Sequence, residues 1–311
     1  MKTAFLFPGQ GAQVVGMGAD IASAWPAAND FFDRANRIVG YDLKTLCFSG
    51  PEDKLNSTTV SQPAIFTVSA AILEILRNNP KTASIRPEVT AGLSLGEYTA
   101  LYAAGLIDFE NALRLVQKRG EAMQAASDAS DGGMVSILGM DEPQIWQLCA
   151  EAAEGQLLVP ANFNCPGQIV ISGASAACKR AVPIAERMGA TKAIELKVAG
   201  AFHSEMMRPA AEALDTALAG CSIGTPSALR VIANISAEYY TAPDEIRQGL
   251  IRQLLQPILW QKCMEKLLAD GIEQFYEIGP GRVLTGLMKR IHRRATIINI
   301  SNLESLNAVL G

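Results

Sequence analysis

Short apolar runs recur along the chain and alternate with longer stretches of helical periodicity. The first run, Thr3–Phe7, ends in a glycine-rich turn, and a run at residues 87–92 leads into a helical stretch from Leu95 onward. Three later runs of similar length lie at residues 229–236, 274–278 and 296–300. Because buried strands that alternate with helices are typical of parallel sheets, the pattern predicts an α/β protein with a mainly parallel sheet.

The middle of the chain follows a different order. Its pattern predicts strand, helix, strand, strand, helix and strand at residues 134–138, 142–153, 157–162, 168–172, 175–188 and 191–198. This βαββαβ order is that of ferredoxin-like domains. The polar, glycine-containing stretch at residues 127–133 is typical of a connection between domains. We therefore expect a large α/β-hydrolase-like domain with a parallel-sheet core (residues 1–126 and 199–311) and an inserted ferredoxin-like small domain (residues 127–198).

Composition bears on the kinds of partner that the chain can bind. The chain has 311 residues, is 49% hydrophobic and carries a net charge of −4, so it has no overall basic footprint for nucleic acid or an anionic membrane. The run from Lys289 to Arg294 is locally cationic. Such a run suits a carrier protein or a phosphate, and it equally suits a solvated helix end whose cations complement the helix dipole.

Cysteines and the N-terminus indicate a cytoplasmic protein. The six cysteines are scattered without a C-x-x-C pair or a nearby histidine, which predicts reduced core thiols and no metal site. The N-terminal apolar run is interrupted by Pro8 and Gly9, too soon for a signal peptide or a membrane span.

A nucleophile motif follows the second predicted strand. Gly92-Leu93-Ser94-Leu95-Gly96 matches G-x-S-x-G at a strand-to-helix turn, the context that a nucleophile elbow requires. A serine hydroxyl needs a base to take its proton, and histidine is the usual one. Of the two histidines, His292 lies among four cations that oppose its protonation. His203, in an apolar segment, is therefore the candidate base, although a lone histidine there also suits a core position.

An arginine interrupts the apolar face of a predicted helix. This helix is capped by Asp108 and runs to Met123 or beyond. At about 100° per residue, Arg119 falls between Leu115 and Met123 on the apolar stripe. A guanidinium on a buried face needs an anionic partner, and its planar fork matches a carboxylate. The partner is either a substrate carboxylate or an internal Asp or Glu, and the residues alone favour neither.

Taken together, the motifs resemble the malonyl-CoA:acyl carrier protein transacylase family over nearly the whole chain. Six blocks carry the resemblance: Phe7-Pro8-Gly9-Gln10-Gly11-Ala12-Gln13, Gly92 to Glu97, Gln117-Lys118-Arg119-Gly120, Gly200-Ala201-Phe202-His203-Ser204, Arg252-Gln253-Leu254 with Pro257, and Glu277-Ile278-Gly279-Pro280-Gly281. One block alone is weak support, whereas six in this order and spacing are specific.

The resemblance implies a role for each matching residue. Ser94 is the implied nucleophile, His203 the base and Arg119 the clamp on the malonyl carboxylate. The backbone N–H groups of Gln10 and Leu95 form the implied oxyanion hole. The carbonyl of Gln253 orients the histidine, so that no triad aspartate is needed.

Three further positions follow from the same resemblance. Asn162 and Gln168 match polar residues near the family's active-site gorge, and Asn162 is a candidate substrate contact. Phe202, beside His203, resembles malonyl-selective members because its ring leaves little room for an α-methyl group. Leu93 departs from the pattern, since many members have histidine before the nucleophile. Leu93 cannot form a side-chain hydrogen bond, which puts any tuning by that histidine in doubt.

The implied activity is transfer of malonyl from coenzyme A to holo acyl carrier protein for fatty-acid biosynthesis, through a ping-pong malonyl-Ser94 ester. It needs no cofactor, because malonyl-CoA is a substrate and the acceptor carries its own phosphopantetheine; no nucleic-acid or membrane partner is expected. The alternatives are a discrete polyketide-synthase acyltransferase, a serine hydrolase with an aspartate between Ser94 and His203, and a scaffold without chemistry.

Overall fold

Two separate sheets organise the chain, of which the computed structural model describes all 311 residues. The strands are β1 Thr3–Phe7, β2 Val89–Gly92, β3 Gly132–Leu138, β4 Leu158–Cys165, β5 Gln168–Ala174, β6 Lys192–Glu195, β7 Arg230–Val231, β8 Gln274–Ile278 and β9 Thr296–Ile300. The helices are α1 Ala19–Ala24, α2 Pro26–Val39, α3 Leu43–Ser49, α4 Glu52–Asn56, α5 Thr58–Asn78, α6 Gly96–Ala103, α7 Phe109–Asp128, α8 Glu142–Ala153, α9 Ser175–Arg187, α10 Arg208–Ala219, α11 Pro243–Gln253, α12 Trp260–Ala269, α13 Val283–Ile291 and α14 Leu303–Leu310. Two short 3-10 helices cover Pro80–Thr82 and Glu205–Met207.

The first sheet is parallel throughout and has the order β7-β2-β1-β8-β9. All five residues of β1 are buried, as a central strand covered on both faces requires. The predicted parallel sheet is confirmed, and β8 and β9 have the predicted bounds. The carboxyl ends of β1 and β2 are neighbours, so the loops that follow Phe7 and Gly92 meet at one edge of the sheet.

The strand predicted at residues 229–236 is wrong in extent, because only Arg230–Val231 forms a strand. The backbone of Ile232 still donates a hydrogen bond to Thr90. The chain then turns, with Ala237 in the left-handed region at φ 56°. The side chain of Asn234, in this turn, bonds to backbone near Ser94. Those contacts replace continued sheet pairing.

The second sheet is antiparallel and lies within residues 132–195, here called the small unit; the rest of the chain is the large unit. Its strand order is β4-β5-β3-β6. Helices α8 and α9 complete the six elements in the predicted order, with bounds that differ from the prediction by a few residues. Fifteen buried apolar residues form a core of their own between these helices and the sheet.

The two units are joined by backbone hydrogen bonds at the edge of the small sheet. Phe163 of β4 donates to the carbonyl of Ile258, and Ile258 donates to the carbonyl of Ala161, each at 2.9 Å. These two main-chain bonds fix the position of β4 against the segment that contains Ile258. The small unit therefore forms a wall beside the carboxyl edge of the parallel sheet.

Helix α5 is the longest helix of the chain. It is long and apolar enough to cross a membrane, but 83% of its apolar window is buried inside the protein. It packs against α7 and α2, as a core helix does.

Candidate active site

The nucleophile motif forms a sharp turn between β2 and α6. Ser94 has a φ of 52°, a left-handed conformation that costs a non-glycine residue free energy. Glycines let the turn pack against the loop after β1: a Cβ at Gly96 would lie 2.1 Å from the carbonyl oxygen of Phe7, and one at Gly9 would lie 2.3 Å from that of Leu93. The turn therefore presents Ser94 at the sheet edge beside the loop that carries Gln10.

His203 lies within hydrogen-bond distance of the serine. Its Nε2 is 3.0 Å from Ser94 Oγ, and its Nδ1 is 2.6 Å from the carbonyl oxygen of Gln253. A carbonyl only accepts, so Nδ1 carries the proton and the Nε2 lone pair accepts the hydroxyl of Ser94. A main-chain carbonyl thus occupies the place that an aspartate takes in a Ser-His-Asp triad.

Burial keeps this histidine neutral. Desolvation and, to a lesser extent, the nearby Arg119 cation together lower the pKa of His203 to about 3, although the bond to Gln253 opposes the shift. At neutral pH the imidazole therefore holds a free lone pair, the form that a general base needs.

Arg119 is almost fully buried on α7, with an exposed fraction of 1%. It donates to Gln62 Oε1 at 2.7 Å, to Ser94 Oγ at 2.9 Å and to Gln253 Oε1 at 3.0 Å. It forms no ion pair with Asp or Glu within 4.0 Å, and its Nε has no hydrogen-bond partner. The direct internal salt bridge that the sequence left open is absent, although the buried Glu97 carboxyl group, which is bonded to the same Gln253 amide, interacts electrostatically with the guanidinium.

Two backbone donors near the serine remain free. The N–H groups of Gln10 and Leu95 donate no hydrogen bond within the protein, whereas that of Gly11 is satisfied by Gln13 Oε1 at 2.7 Å. Leu95 stands directly before α6, where the helix dipole favours negative charge.

These groups border a cavity of about 670 Å³, a size typical of small-ligand sites. The large unit contributes Ser94, His203, Arg119 and Phe202 to its lining, and the small unit contributes Asn162. Other lining residues are Gln10, Leu93, Met123, Met134, Ser136, Asn164, Gln168, Val170, Leu196, Lys197, Val198, Val283 and Leu287. The structure thus brings six of the predicted site residues together around one space. The other two do not line it: Leu95 directly follows Ser94 in the chain, and Gln253 contacts His203.

A buried polar cluster below the serine is absent from the sequence predictions. Glu97 accepts hydrogen bonds from Tyr240 and Gln253, and Asn234 bonds to the backbone on both sides of Leu93. Gln62, which holds Arg119, was also missed. The one available signal was polarity, since Gln62, Glu97 and Asn234 each stand in an otherwise apolar stretch.

Side chains of the types that bind metal ions are not grouped in this structure. No group of three or more His, Cys, Asp or Glu side chains is placed to hold a metal ion. All six cysteines are buried free thiols, which confirms the prediction of core cysteines.

Comparison with known proteins places this geometry in a family. The acyl transferase domain family matches residues 4–305. A malonyl CoA-acyl carrier protein transacylase from Bacillus subtilis is 44% identical over 310 residues, which cover 99% of this chain and 96% of that protein.

Two solved structures are similar along their whole length. An acyl carrier protein S-malonyltransferase from Vibrio cholerae has a TM-score of 0.93 and 41% identity, with coverage of 99% of this chain and 100% of that one. The complex PlMCAT:AntF, a type II PKS acyl-carrier protein with its malonyl-transacylase, has a TM-score of 0.94 and 40% identity, with coverage of 100% and 99%. The chain therefore belongs to the malonyl-CoA:acyl carrier protein transacylase family of acyltransferases.

Proposed function

We propose that this acyltransferase moves a malonyl group from coenzyme A to the phosphopantetheine thiol of an acyl carrier protein, through an ester on Ser94. The observation that carries the proposal is the buried Arg119 cation, which has no direct carboxylate partner and touches Ser94 Oγ. A substrate with a free carboxylate next to its thioester supplies that partner. Malonyl-CoA has that form, whereas acetyl-CoA does not.

The first half-reaction forms the ester. His203 Nε2 takes the proton as Ser94 Oγ attacks the thioester carbonyl carbon, and the carbonyl oxygen becomes an oxyanion that accepts from the N–H groups of Gln10 and Leu95. The carbon–sulfur bond then breaks, and His203 returns the proton to the coenzyme A sulfur.

The second half-reaction reverses these steps with a new thiol. His203 takes the proton of the carrier's phosphopantetheine thiol as its sulfur attacks the malonyl ester. Collapse of the second intermediate breaks the bond to Ser94 Oγ, which regains a proton from His203. The neutral imidazole required at the start of both halves is the form that burial favours.

Arg119 and the cavity walls account for substrate choice. The Arg119 guanidinium pairs with the malonyl carboxylate, with Gln62 and Gln253 holding its planar fork. The ring of Phe202 restricts the space beside the α-carbon. Asn162, on the small unit, offers a hydrogen-bonding amide to the acyl or pantetheine part of the substrate.

We also infer the fold class of each of the two domains. The parallel sheet with a nucleophile after β2 supports an α/β-hydrolase-like large domain of residues 1–126 and 199–311. The order β4-β5-β3-β6 with two crossing helices supports a ferredoxin-like small domain of residues 127–198.

The setting that fits this activity is cytoplasmic fatty-acid biosynthesis with a holo acyl carrier protein as partner. Neither a protein-bound cofactor nor a nucleic-acid or membrane partner enters the proposed reaction. The polyketide alternative is not favoured, because full-length relatives at 42–44% identity are named malonyl CoA-acyl carrier protein transacylase. The hydrolase alternative lacks its aspartate, since Gln253 occupies Nδ1 of His203.

Intact-protein mass spectrometry tests the function. The protein and its Ser94→Ala variant are mixed with malonyl-CoA, and holo carrier protein is then added. We expect one malonyl adduct on the wild type, none on the variant, and movement of the adduct to the carrier. Loss of the adduct to water at the same rate without carrier would support a hydrolase instead.

A further inference from the structure

A buried polar cluster lies behind the nucleophile. It consists of Glu97 on α6, Asn234 and Tyr240 after β7, and the side chain of Gln253 at the end of α11. Glu97 and Asn234 have exposed fractions of 1% and 0% and do not line the cavity. They therefore cannot touch a substrate, and their hydrogen bonds act on the protein alone.

Asn234 bonds to the two peptide groups that bracket Leu93. Its Oδ1 accepts from the N–H of Ser94 at 2.7 Å, and its Nδ2 donates to the carbonyl of Gly92 at 2.8 Å. Both bonds hold the backbone where the chain turns from β2 into the left-handed conformation of Ser94. A strained conformation persists only where its surroundings over-determine it, and these bonds supply part of that restraint.

Glu97 fixes Asn234 and joins it to the rest of the site. Glu97 Oε2 accepts from the Asn234 N–H at 3.3 Å and from Gln253 Nε2 at 2.6 Å, while Oε1 accepts from the hydroxyl of Tyr240 at 2.5 Å. Burial raises the pKa of Glu97 to about 7, although these donors oppose the shift. A buried carboxyl group is costly unless it is hydrogen-bonded, and here two of its three partners, Asn234 and Gln253, bond to the backbone of the serine turn.

The amide of Gln253 completes the connection. Its Nε2 donates to the carbonyl of Ser94 at 3.0 Å, its Oε1 accepts from Arg119, and its backbone carbonyl accepts from His203. Nucleophile, base and guanidinium are thus held by one hydrogen-bonded unit.

We propose that Asn234 is a positioning residue for acyl transfer: its side-chain amide, on a backbone segment that Glu97 holds through the Asn234 N–H, braces the turn that aims Ser94 Oγ at His203. The inference rests on the proposed transacylase function. A misplacement of about 1 Å at a reacting group lowers the rate about 10²-fold, so loss of the brace slows ester formation and leaves the binding of malonyl-CoA unchanged.

The test is single-turnover malonylation of Ser94 by malonyl-CoA, followed by mass spectrometry in the full-length protein. For Asn234→Ala we expect a maximal rate about 10²-fold below wild type, with the half-saturating malonyl-CoA concentration within about twofold. The matched control is Asn36→Ala on α2, which removes an amide that also accepts one backbone N–H and donates to one oxygen. We expect its malonylation rate to equal that of the wild type.

A second variant keeps the test decisive if Asn234→Ala does not fold. Asn234→Leu keeps a side chain of similar size but neither accepts from the N–H of Ser94 nor donates to the carbonyl of Gly92, so we expect it also to malonylate more slowly. A wild-type malonylation rate in either folded variant overturns the proposal. So does a variant that changes only the half-saturating malonyl-CoA concentration, or an equal loss of malonylation rate in Asn36→Ala. A wild type that gains no malonyl group contradicts the proposed function instead.

Discussion

The large unit and the small unit border the same cavity but contribute different groups to it. The large unit supplies Ser94, His203, Arg119 and Gln253, joined by hydrogen bonds of 2.6–3.0 Å. The small unit supplies a wall of apolar side chains and amides such as Asn162, none of which bonds to Ser94 or His203. The difference indicates that bond-making resides in the large unit and that the small unit acts through the fit of the substrate.

The largest loss of activity is expected when the base is removed. His203→Ala leaves the Ser94 hydroxyl without an acceptor for its proton, and general-base catalysis is worth about 10²- to 10⁴-fold. We expect a loss of that size in the rate of Ser94 malonylation, measured by quenched-flow mass spectrometry. His292→Ala, which changes the other histidine, serves as the matched control. A malonylation rate for His203→Ala within a few-fold of the wild-type rate would show that His203 is not the general base.

A pH profile sharpens the assignment of the base. A histidine of ordinary pKa 6.5 is about 3% neutral at pH 5 and would lower kcat/KM about 30-fold there. Burial and Arg119 lower the pKa of His203 to about 3, so the neutral base persists as pH falls and titration of His203 does not lower kcat/KM for malonyl-CoA from pH 7 to 5. The carboxyl group of Glu97, whose pKa burial raises to about 7, is the group of the site that titrates in this range. Arg119→Gln removes a cation that opposes protonation, and its acid limb, measured with acetyl-CoA, should move to higher pH. An acid limb near 6.5 that is present in the wild type and persists in Glu97→Gln contradicts the lowered pKa of His203.

A smaller effect is expected at Phe202, on the large unit beside the base. Its ring is buried, with an exposed fraction of 6%, and discrimination by one methyl group is worth about 1–3 kcal/mol. Phe202→Ala should lower the preference for malonyl-CoA over methylmalonyl-CoA about tenfold, read from the ratio of the two kcat/KM values. An unchanged ratio would show that another wall sets the limit.

The smallest expected effect lies in the small unit. Asn162→Ala removes one neutral hydrogen-bonding group, worth about 1 kcal/mol or about fivefold in binding. We expect KM for malonyl-CoA to rise by that factor with kcat nearly unchanged, whereas Trp146→Ala, an exposed change in the same unit, leaves both constants alone. A large fall in kcat for Asn162→Ala would contradict the division between the two units.

Local patterns sufficed for much of the fold. Strands β8 and β9 have the predicted bounds because each is a short apolar run with clear ends. The run at residues 229–236 is equally apolar but forms only a two-residue strand, because Asn234 turns inward to the Ser94 backbone. That contact joins residues 140 positions apart, and no local periodicity reports it.

Prediction of the site from sequence has the same limit, because local patterns do not show contacts between distant residues. Scarcity of histidine and the G-x-S-x-G motif were enough to nominate His203 and Ser94, and helical periodicity placed Arg119 on a buried face. Periodicity could not choose between a substrate carboxylate and an internal acid. The absence of a direct ion pair supports the proposal of a substrate carboxylate. Glu97 and Asn234 were missed because their partners come from distant elements.

We expect the Arg119 cation, which has no direct carboxylate partner, to make the enzyme select malonyl groups. The direct measurement is the rate of transfer to holo carrier protein from malonyl-CoA and from acetyl-CoA, for wild type, Arg119→Ala and the exposed control Arg114→Ala on the same helix. Removing one partner of a buried ion pair costs about 2–5 kcal/mol. We therefore expect Arg119→Ala to lower malonyl transfer about 10²-fold or more and acetyl transfer far less, and Arg114→Ala to leave both rates unchanged. Equal losses for both substrates would contradict this expectation.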